Sequence, residues 1–118
     1  MKKTVLFVDD ENNLLNGLQR MLRVKADEWE MEFVDSGDKA LENLKKKNYD
    51  IIVTDYKMPG MNGLVLLEKV KGNYPKIKRF LLTGQSEMEI FEKAKGVVDV
   101  YISKPCNAEE LISNIDKS

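Results

Sequence analysis

The chain has 118 residues, of which 42% are hydrophobic and 33% are charged, a size and balance typical of one compact globular domain. No apolar run approaches the ~20 residues that a membrane-spanning helix needs, and the first apolar stretch is too short for a signal peptide, so we expect a cytoplasmic protein without membrane contact. Nineteen basic residues against 20 acidic ones leave a formal charge of -1, and there is no histidine. The chain therefore lacks the charge of a nucleic-acid-binding domain, and it cannot form a Ser-His-Asp triad or a histidine zinc site.

Five strand-helix pairs are predicted in chain order. Continuous apolar runs predict four strands, at residues 5–8, 51–53, 80–82 and 100–102. The alternation of apolar and acidic residues over 30–33 predicts a further strand, exposed on one side at the edge of a sheet. Apolar residues at helical spacing follow each strand; after the first strand they are Leu14, Leu15, Leu18, Met21 and Leu22. Four residues are expected to cap the other helices: Ser36, Asn62, Ser86 and Asn107.

This order of elements predicts the fold class. Strict alternation of strands and helices is typical of a doubly wound α/β protein, with a parallel sheet, right-handed crossovers and helices on both faces. No linker rich in Ser, Pro or Gly and no internal repeat interrupts the pattern. We therefore predict a single domain over residues 1–118.

Polar residues follow the predicted strands where these end. The carboxyl ends of parallel strands share one rim of the sheet, and α/β proteins bind ligands there. The residues expected at this rim are Asp9, Asp10, Asp55, Thr83, Gly84 and Lys104. Helix capping can explain one acid of the first pair. It does not explain Asp55, because Pro59 and Gly60 delay the next helix until about Asn62.

These residue types indicate metal-assisted phosphate chemistry. Three carboxylates at close range repel one another unless one takes a proton or a cation holds them together. Oxygen ligands without sulfur or imidazole suit a hard ion, and Mg²⁺ is usually bound by one or two carboxylates with water and phosphate oxygens. Lys104 and the Thr83 hydroxyl would face the remaining phosphoryl oxygens. We interpret Asp55 as a nucleophile that accepts a phosphoryl group as an aspartyl phosphate.

Four segments together resemble the receiver domain of bacterial two-component response regulators over essentially the whole chain. They are Asp9-Asp10-Glu11, residues 54–63 (TDYKMPGMNG), Leu82-Thr83-Gly84 and residues 101–105 (YISKP). The resemblance implies a flavodoxin-like α/β/α sandwich of five parallel strands in the order 2-1-3-4-5, with Asp55 as the phosphoacceptor. It also implies a Mg²⁺ ion held by Asp55, by Asp10 directly, by Asp9 largely through water, and by the backbone carbonyl of Lys57.

The resemblance further implies how phosphate would be held and sensed. Thr83, the Gly84 amide and Lys104 would contact the phosphoryl oxygens, and a cis bond would join Lys104 to Pro105. On phosphorylation the Thr83 hydroxyl would move toward the phosphate and Tyr101 would turn inward behind it, with Pro105 as the third switch residue. This would change the face made by the fourth helix, the fifth strand and the fifth helix.

The same resemblance implies partners and a regulatory role. Phosphate would come from a sensor histidine kinase or a histidine phosphotransfer protein, docking near the first helix and the rim, or from a small acyl phosphate. The output would pass to a downstream protein or to a fused effector domain. The domain itself would be no enzyme beyond its own phosphorylation and dephosphorylation.

Three other interpretations compete with this one. Haloacid-dehalogenase phosphatases also phosphorylate an aspartate after a parallel strand, but they need a second acid two residues on, where this chain has Lys57. A flavin-binding module would need a hydroxyl- and Gly-rich loop after the first strand, where residues 9–11 would repel the flavin phosphate. A receiver-shaped docking module that works without phosphate stays open, although the intact acid, hydroxyl and lysine set argues against it.

Overall fold

Strands and helices alternate along the whole described chain. The computed structural model describes residues 2–84, 90–104 and 107–118. The strands are β1 (Lys3–Val8), β2 (Trp29–Val34), β3 (Ile51–Asp55), β4 (Lys78–Thr83) and β5 (Val100–Ser103). The helices are α1 (Asn12–Met21), α2 (Gly37–Lys46), α3 (Gly63–Asn73), α4 (Ile90–Ala94) and α5 (Ala108–Lys117), and a 3₁₀ turn follows α1 at Leu22–Lys25. Among the described residues, no helix is both long enough and apolar enough to span a membrane.

The five strands form one parallel sheet in the order β2-β1-β3-β4-β5. This confirms the predicted doubly wound α/β fold and the strand order implied by the resemblance. The register pairs Val8 with Thr54, so Asp9 lies beside Asp55 at the rim. On the other side of β3, Asp55 pairs with Leu82, one residue before Thr83. The register alone thus brings the ends of β1, β3 and β4 together.

Alternate residues of the strands pack into two cores, one on each face of the sheet. The first core joins β1, β3 and β4 to α2 and α3 through Leu6, Ile52, Leu81, Ala40, Leu44, Leu66, Leu67 and Val70. The second core joins the strands to α5 and the turn after α1 through Val5, Phe7, Val53, Phe80, Ile102, Leu22, Leu111 and Ile115. Helices therefore cover both faces of the sheet, as the sequence predicts. The polar groups lie at the rim where the strands have their carboxyl ends.

The edge position of β2 is confirmed, but its acidic side is not simply exposed to water. Phe33 stacks on Phe7 with ring centroids 4.8 Å apart. On the opposite face Glu32 accepts hydrogen bonds from the Lys47 ammonium at 2.7 Å and from the Tyr49 hydroxyl. These contacts, the one with Lys47 foremost, lower the pKa of Glu32. The alternation of residues 30–33 correctly indicates a strand, but Lys47 and Tyr49 from the segment after α2 cover its polar side.

Three of the four predicted helix caps are confirmed. The side-chain oxygens of Ser36, Asn62 and Asn107 each accept a hydrogen bond from the backbone N–H three residues further along. Such a cap satisfies one of the N–H groups that the first turn of a helix leaves without a partner. The fourth predicted cap, Ser86, lies outside the described residues.

Candidate functional site

Three carboxylates converge at the rim of the sheet. Asp9 and Asp10 follow β1, and Asp55 is the last residue of β3. One oxygen from each carboxylate lies within 4.8 Å of the other two. Asp9 is 3% exposed and Asp55 is 5% exposed, so two of these charges are almost withdrawn from water. The Asp9 carboxylate also accepts a hydrogen bond from the Glu11 N–H at 3.0 Å, which fixes its orientation.

Lys104, directly after β5, reaches the same cluster and is bound through its backbone to Thr83 at the end of β4. The Lys104 ammonium lies 2.7 Å from Oδ1 of Asp55, and its backbone N–H donates to the Thr83 carbonyl at 2.7 Å. Thr83 is buried at the end of β4, and Gly84 follows it. The structure thus brings together the predicted acids, the lysine and the threonine.

The pKa values of Asp9, Asp55 and Lys104 are all raised by their surroundings in the cluster. Burial raises the pKa of Asp55, and the hydrogen bond from Lys104 offsets only part of that effect. Burial likewise raises the pKa of Asp9, against the opposing Glu11 N–H. Burial lowers the pKa of Lys104, but the hydrogen bond to Asp55 and the attraction of Asp55, Asp9 and Glu11 together outweigh burial, so the net shift is upward and the lysine stays charged. One ammonium facing three carboxylates leaves a site that fits a divalent cation with oxygen ligands.

The start of α3 fixes the backbone at Asp55. A Cβ atom on Gly63 would lie 2.1 Å from the carbonyl oxygen of Asp55, so a larger residue does not fit there. The Gly63 N–H donates to the Tyr56 carbonyl at 2.8 Å, and the Thr54 hydroxyl donates to the Asp55 carbonyl at 3.0 Å. From the sequence, Gly63 was recognised only as part of the segment 54–63. Glycine is a poor helix former, so a glycine in the first turn of α3 is a sequence signal that another part of the chain lies close to the backbone there.

Comparison with known proteins decides the family. The family model of the response regulator receiver domain matches residues 5–116. The chain belongs to the response regulator receiver domain family. Chemotaxis protein CheY-3 of Vibrio cholerae is 34% identical over 116 residues, covering 96% of this chain and 88% of that protein.

Two further relatives show how this receiver domain compares with other regulators. The uncharacterized transcriptional regulatory protein YesN of Bacillus subtilis is 34% identical over 120 residues, covering 96% of this chain and 31% of YesN. The solved structure of the response regulator TrrA from Thermotoga maritima, in complex with Mg²⁺-BeF, is 28% identical with a TM-score of 0.84 and covers 98% of this chain and 97% of that one. This receiver therefore spans less than a third of YesN but most of CheY-3. It is a domain of two-component signal transduction, and such domains are generally regulatory rather than enzymatic.

An apolar groove runs from the receiver's acidic cluster along α1. It has a volume of ≈ 470 Å³, and its lining comprises Asp9, Asn13, Leu14, Gly17, Leu18, Met21, Leu82 and Lys104. Leu14 is 45% exposed and Met21 is 47% exposed, whereas Leu15 is buried. The apolar spacing in α1 predicts one apolar face, but only part of this face is covered by the sheet. Part of it is left exposed beside the rim that carries the acidic cluster.

The remaining predicted residues of the receiver are Tyr101, Lys57 and Pro105. Tyr101 of β5 is half-buried, with its ring edge-on to Phe91 of α4 at 4.7 Å between centroids. The side chain of Lys57 is exposed in the loop after β3. Pro105, a predicted switch residue, lies outside the described residues. The contact between Phe91 and Tyr101 was not predicted from the sequence.

Proposed function

We propose that this receiver accepts a phosphoryl group on Asp55 in a Mg²⁺-dependent reaction and so switches a partner or a fused effector domain. The observation that carries this proposal is the meeting of three carboxylate oxygens within 4.8 Å, with the Lys104 ammonium 2.7 Å from Asp55. Buried like charges at this range lower stability, and a cation-dependent reaction gives a reason to keep them.

The metal would be bound on the Asp9 and Asp10 side of Asp55. Asp55 and Asp10 would bind Mg²⁺ directly, Asp9 would act largely through water, and the Lys57 carbonyl would complete the protein ligands. Their oxygen-only character suits this ion. When bound, Mg²⁺ neutralises the carboxylates and the phosphoryl oxygens, which allows an anionic nucleophile to approach an anionic group.

The transfer itself requires an ionised and correctly placed Asp55. A carboxylate oxygen of Asp55 forms a bond to phosphorus while the bond from phosphorus to the donor's imidazole nitrogen breaks, and that nitrogen keeps the electron pair. Lys104 then exchanges its contact with Asp55 for one with a phosphoryl oxygen. The Thr83 hydroxyl and the Gly84 amide would donate to the other oxygens.

The new group would act on the β4 and β5 side of the site. It carries a charge of about -1.5 to -2 at neutral pH, and its oxygens accept hydrogen bonds. Thr83 would turn toward it, and Tyr101 would leave its edge-on contact with Phe91 and turn inward, with Pro105 shaping the adjoining loop. The altered face would be that of α4, β5 and α5.

The phosphodonor would be a sensor histidine kinase or a histidine phosphotransfer protein. These 118 residues contain no histidine, so a phosphohistidine donor would lie outside them. The groove along α1 would receive apolar side chains of that donor, because it ends at Asp9 and Lys104 beside the phosphoacceptor. With a formal charge of -1, the domain itself is not expected to bind nucleic acid directly.

We propose that residues 1–118 form one receiver domain in the cytoplasm. A downstream protein would receive the signal if the domain acts alone, as the 88% coverage of CheY-3 suggests. A fused effector domain would receive it in an arrangement like that of YesN, of which the matched region is 31%.

Phosphorylation of wild type and Asp55→Asn by acetyl phosphate, with Mg²⁺ or with EDTA, tests this proposal. We expect intact-mass spectrometry to show one phosphoryl group on the wild type only when Mg²⁺ is present, and none on Asp55→Asn. Asp27→Asn is the matched control, because Asp27 is exposed in the turn before β2 and the substitution changes the charge equally. Persistent labelling of Asp55→Asn would contradict the assignment of the phosphoacceptor.

A phosphorylation-independent docking module is the second candidate. It predicts a domain that binds its partner without phosphate. Beryllium fluoride, a phosphate mimic, distinguishes the two: NMR shifts around Thr83 and Lys104 that need both the mimic and Mg²⁺ support the phosphoacceptor. No shifts under any of these conditions would favour the docking module.

A further inference from the structure

The loop between β3 and α3, residues 56–62, is held at its neck by backbone hydrogen bonds. The Tyr56 N–H donates to the Leu82 carbonyl at 3.1 Å, and the Gly63 N–H donates to the Tyr56 carbonyl at 2.8 Å. Lys57, whose carbonyl is a proposed Mg²⁺ ligand, lies just beyond this neck. The neck alone does not fix the outer part of the loop, so other contacts must decide where that carbonyl lies.

Two methionines attach the outer part of the loop to the core. Met58 is buried and Met61 packs partly buried against the same core cluster, next to α2 and α3. Between them Gly60 has a φ of 77°, which lets the chain reverse direction so that both side chains reach the core. The loop is therefore packed onto its neighbours by side chains rather than suspended in solvent.

Met61 lies against Gly37, the first residue of α2. A Cβ atom added to Gly37 would lie 2.8 Å from Sδ of Met61 and 3.4 Å from both its Cβ and Cγ atoms. Among the described residues only Gly60 and Gly96 have positive φ, so the backbone conformation at Gly37 does not require glycine. Glycine is also a poor helix former. Space for Met61 is thus the reason for glycine at this position.

We infer that the contact between Gly37 and Met61 positions the Mg²⁺-binding loop, which makes both of them positioning residues for the metal site. This inference rests on the proposed function, because it assigns the loop a metal ligand. α2 is anchored to the sheet by Ala40, which is fully buried, and by Leu44, which is 4% exposed. The start of this anchored helix limits how closely Met61 packs against the core, and so constrains the part of the loop that carries the Lys57 carbonyl.

Gly37→Ala tests the inference through the affinity for Mg²⁺, measured by isothermal titration calorimetry. The added methyl group must displace the Met61 thioether, and we expect the dissociation constant to rise about tenfold, the lower end of the range for residues that orient metal ligands. Gly72→Ala is the matched control, because this glycine lies in α3 and an added Cβ meets nothing within 4 Å. We expect wild-type affinity for that variant.

A double-mutant cycle separates positioning from a general loss of packing. Met61→Ala should weaken Mg²⁺ binding to a similar extent, and Gly37→Ala should have no further effect in the Met61→Ala background, because the atom it displaces is gone. Unfolding of each variant in urea provides the second readout. Alanine favours the helix, so Gly37→Ala should keep at least wild-type stability in EDTA while its Mg²⁺ affinity falls.

The outcomes distinguish this inference from the function on which it rests. Wild-type Mg²⁺ affinity in Gly37→Ala would overturn the inference and leave the proposed function intact. Equal, additive losses from the two substitutions would also overturn it, because residues in one contact should not act independently. A wild-type protein that binds no Mg²⁺ would overturn the proposed function and this inference together.

Discussion

Replacing Asp9 with asparagine should make the metal-free protein more stable. Asp9 is 3% exposed and sits with Asp10 and Asp55 in a cluster whose oxygens lie within 4.8 Å. Asparagine has the same shape, and its side-chain carbonyl can keep the hydrogen bond from the Glu11 N–H. The substitution therefore removes a buried charge with little other change.

The expected gain follows from the geometry of the cluster. Two unit charges 4.8 Å apart, the upper limit of the separations in this cluster, repel by about 3.5 kcal/mol at an effective dielectric constant of about 20. The attraction of Lys104 for Asp9 offsets part of this repulsion. We expect Asp9→Asn to raise the free energy of unfolding by about 1 to 2 kcal/mol, which corresponds to roughly 4 to 8 °C in Tm for a domain of this size.

Mg²⁺ and acid should both remove this advantage. Bound Mg²⁺ at one hundred times its dissociation constant stabilises the folded wild type by about 2.7 kcal/mol, whereas the variant binds the ion more weakly. Burial raises the pKa of Asp9 and of Asp55, so the folded state holds protons more tightly than the unfolded chain. The cost of the charges is thus fully present above these raised pKa values, and it disappears as the pH falls through them.

Urea unfolding at pH 7 in EDTA measures the effect. Trp29 is the single tryptophan, is 3% exposed, and donates a hydrogen bond to Asp116 at 3.1 Å, so its fluorescence reports unfolding from the end of the sheet opposite the site. Asp27→Asn serves as the control for a change of one charge at an exposed position. If Asp9→Asn is no more stable than wild type in EDTA, the argument from buried repulsion is wrong.

Three further substitutions test separate parts of the site. Gly63→Ala should lower the free energy of unfolding by roughly 2 to 3 kcal/mol, because its Cβ would lie 2.1 Å from a backbone oxygen; urea unfolding beside Gly72→Ala measures this, and equal stability of the two would refute it. Gly17→Leu should fill the α1 groove and slow transfer from a phosphorylated kinase about tenfold or more, equivalent to ~1.4 kcal/mol, while labelling by acetyl phosphate persists; equal slowing with both donors would argue against docking there. Lys104→Ala should stay within about 1 kcal/mol of wild type in Mg²⁺ and still be labelled, yet show no NMR response at Thr83; a wild-type response would count against the role of Lys104.

The fold could be predicted because its signals are local. Each central strand is a continuous apolar run, and each helix carries its own apolar spacing and cap, as at Asn62 and Asn107. Alternation of the two then leaves a parallel sheet with helices on both faces. The order of the strands is not local, since any right-handed arrangement satisfies the same pattern, and here it followed from the resemblance to receiver domains.

The acidic cluster was predictable for a related reason, whereas its supports were not. Parallel strands bring their carboxyl ends to one rim, so polar residues after the strands share that rim, and the strand order implied by the resemblance places the ends of β1 and β3 side by side. The contact of Gly63 with the Asp55 carbonyl and that of Gly37 with Met61 depend on how closely two elements approach. Sequence spacing holds no information on that distance. The exposure of Leu14 likewise depends on how α1 is rotated on the sheet, because apolar spacing marks a face but not the part of it that is covered.

The distribution of charge and backbone bonds decides which side of the site would respond to phosphate. On the proposed function, Mg²⁺ compensates the Asp9 and Asp10 side, so the uncompensated phosphoryl oxygens face β4 and β5. There the Lys104 N–H is bound to the Thr83 carbonyl at 2.7 Å, which ties the two strand ends together. Because this bond holds the backbones, the response at this point must begin with side chains: the Lys104 ammonium, the Thr83 hydroxyl and then the Tyr101 ring. A phosphorylated form in which that backbone bond breaks before any of these side chains moves would contradict this order of events.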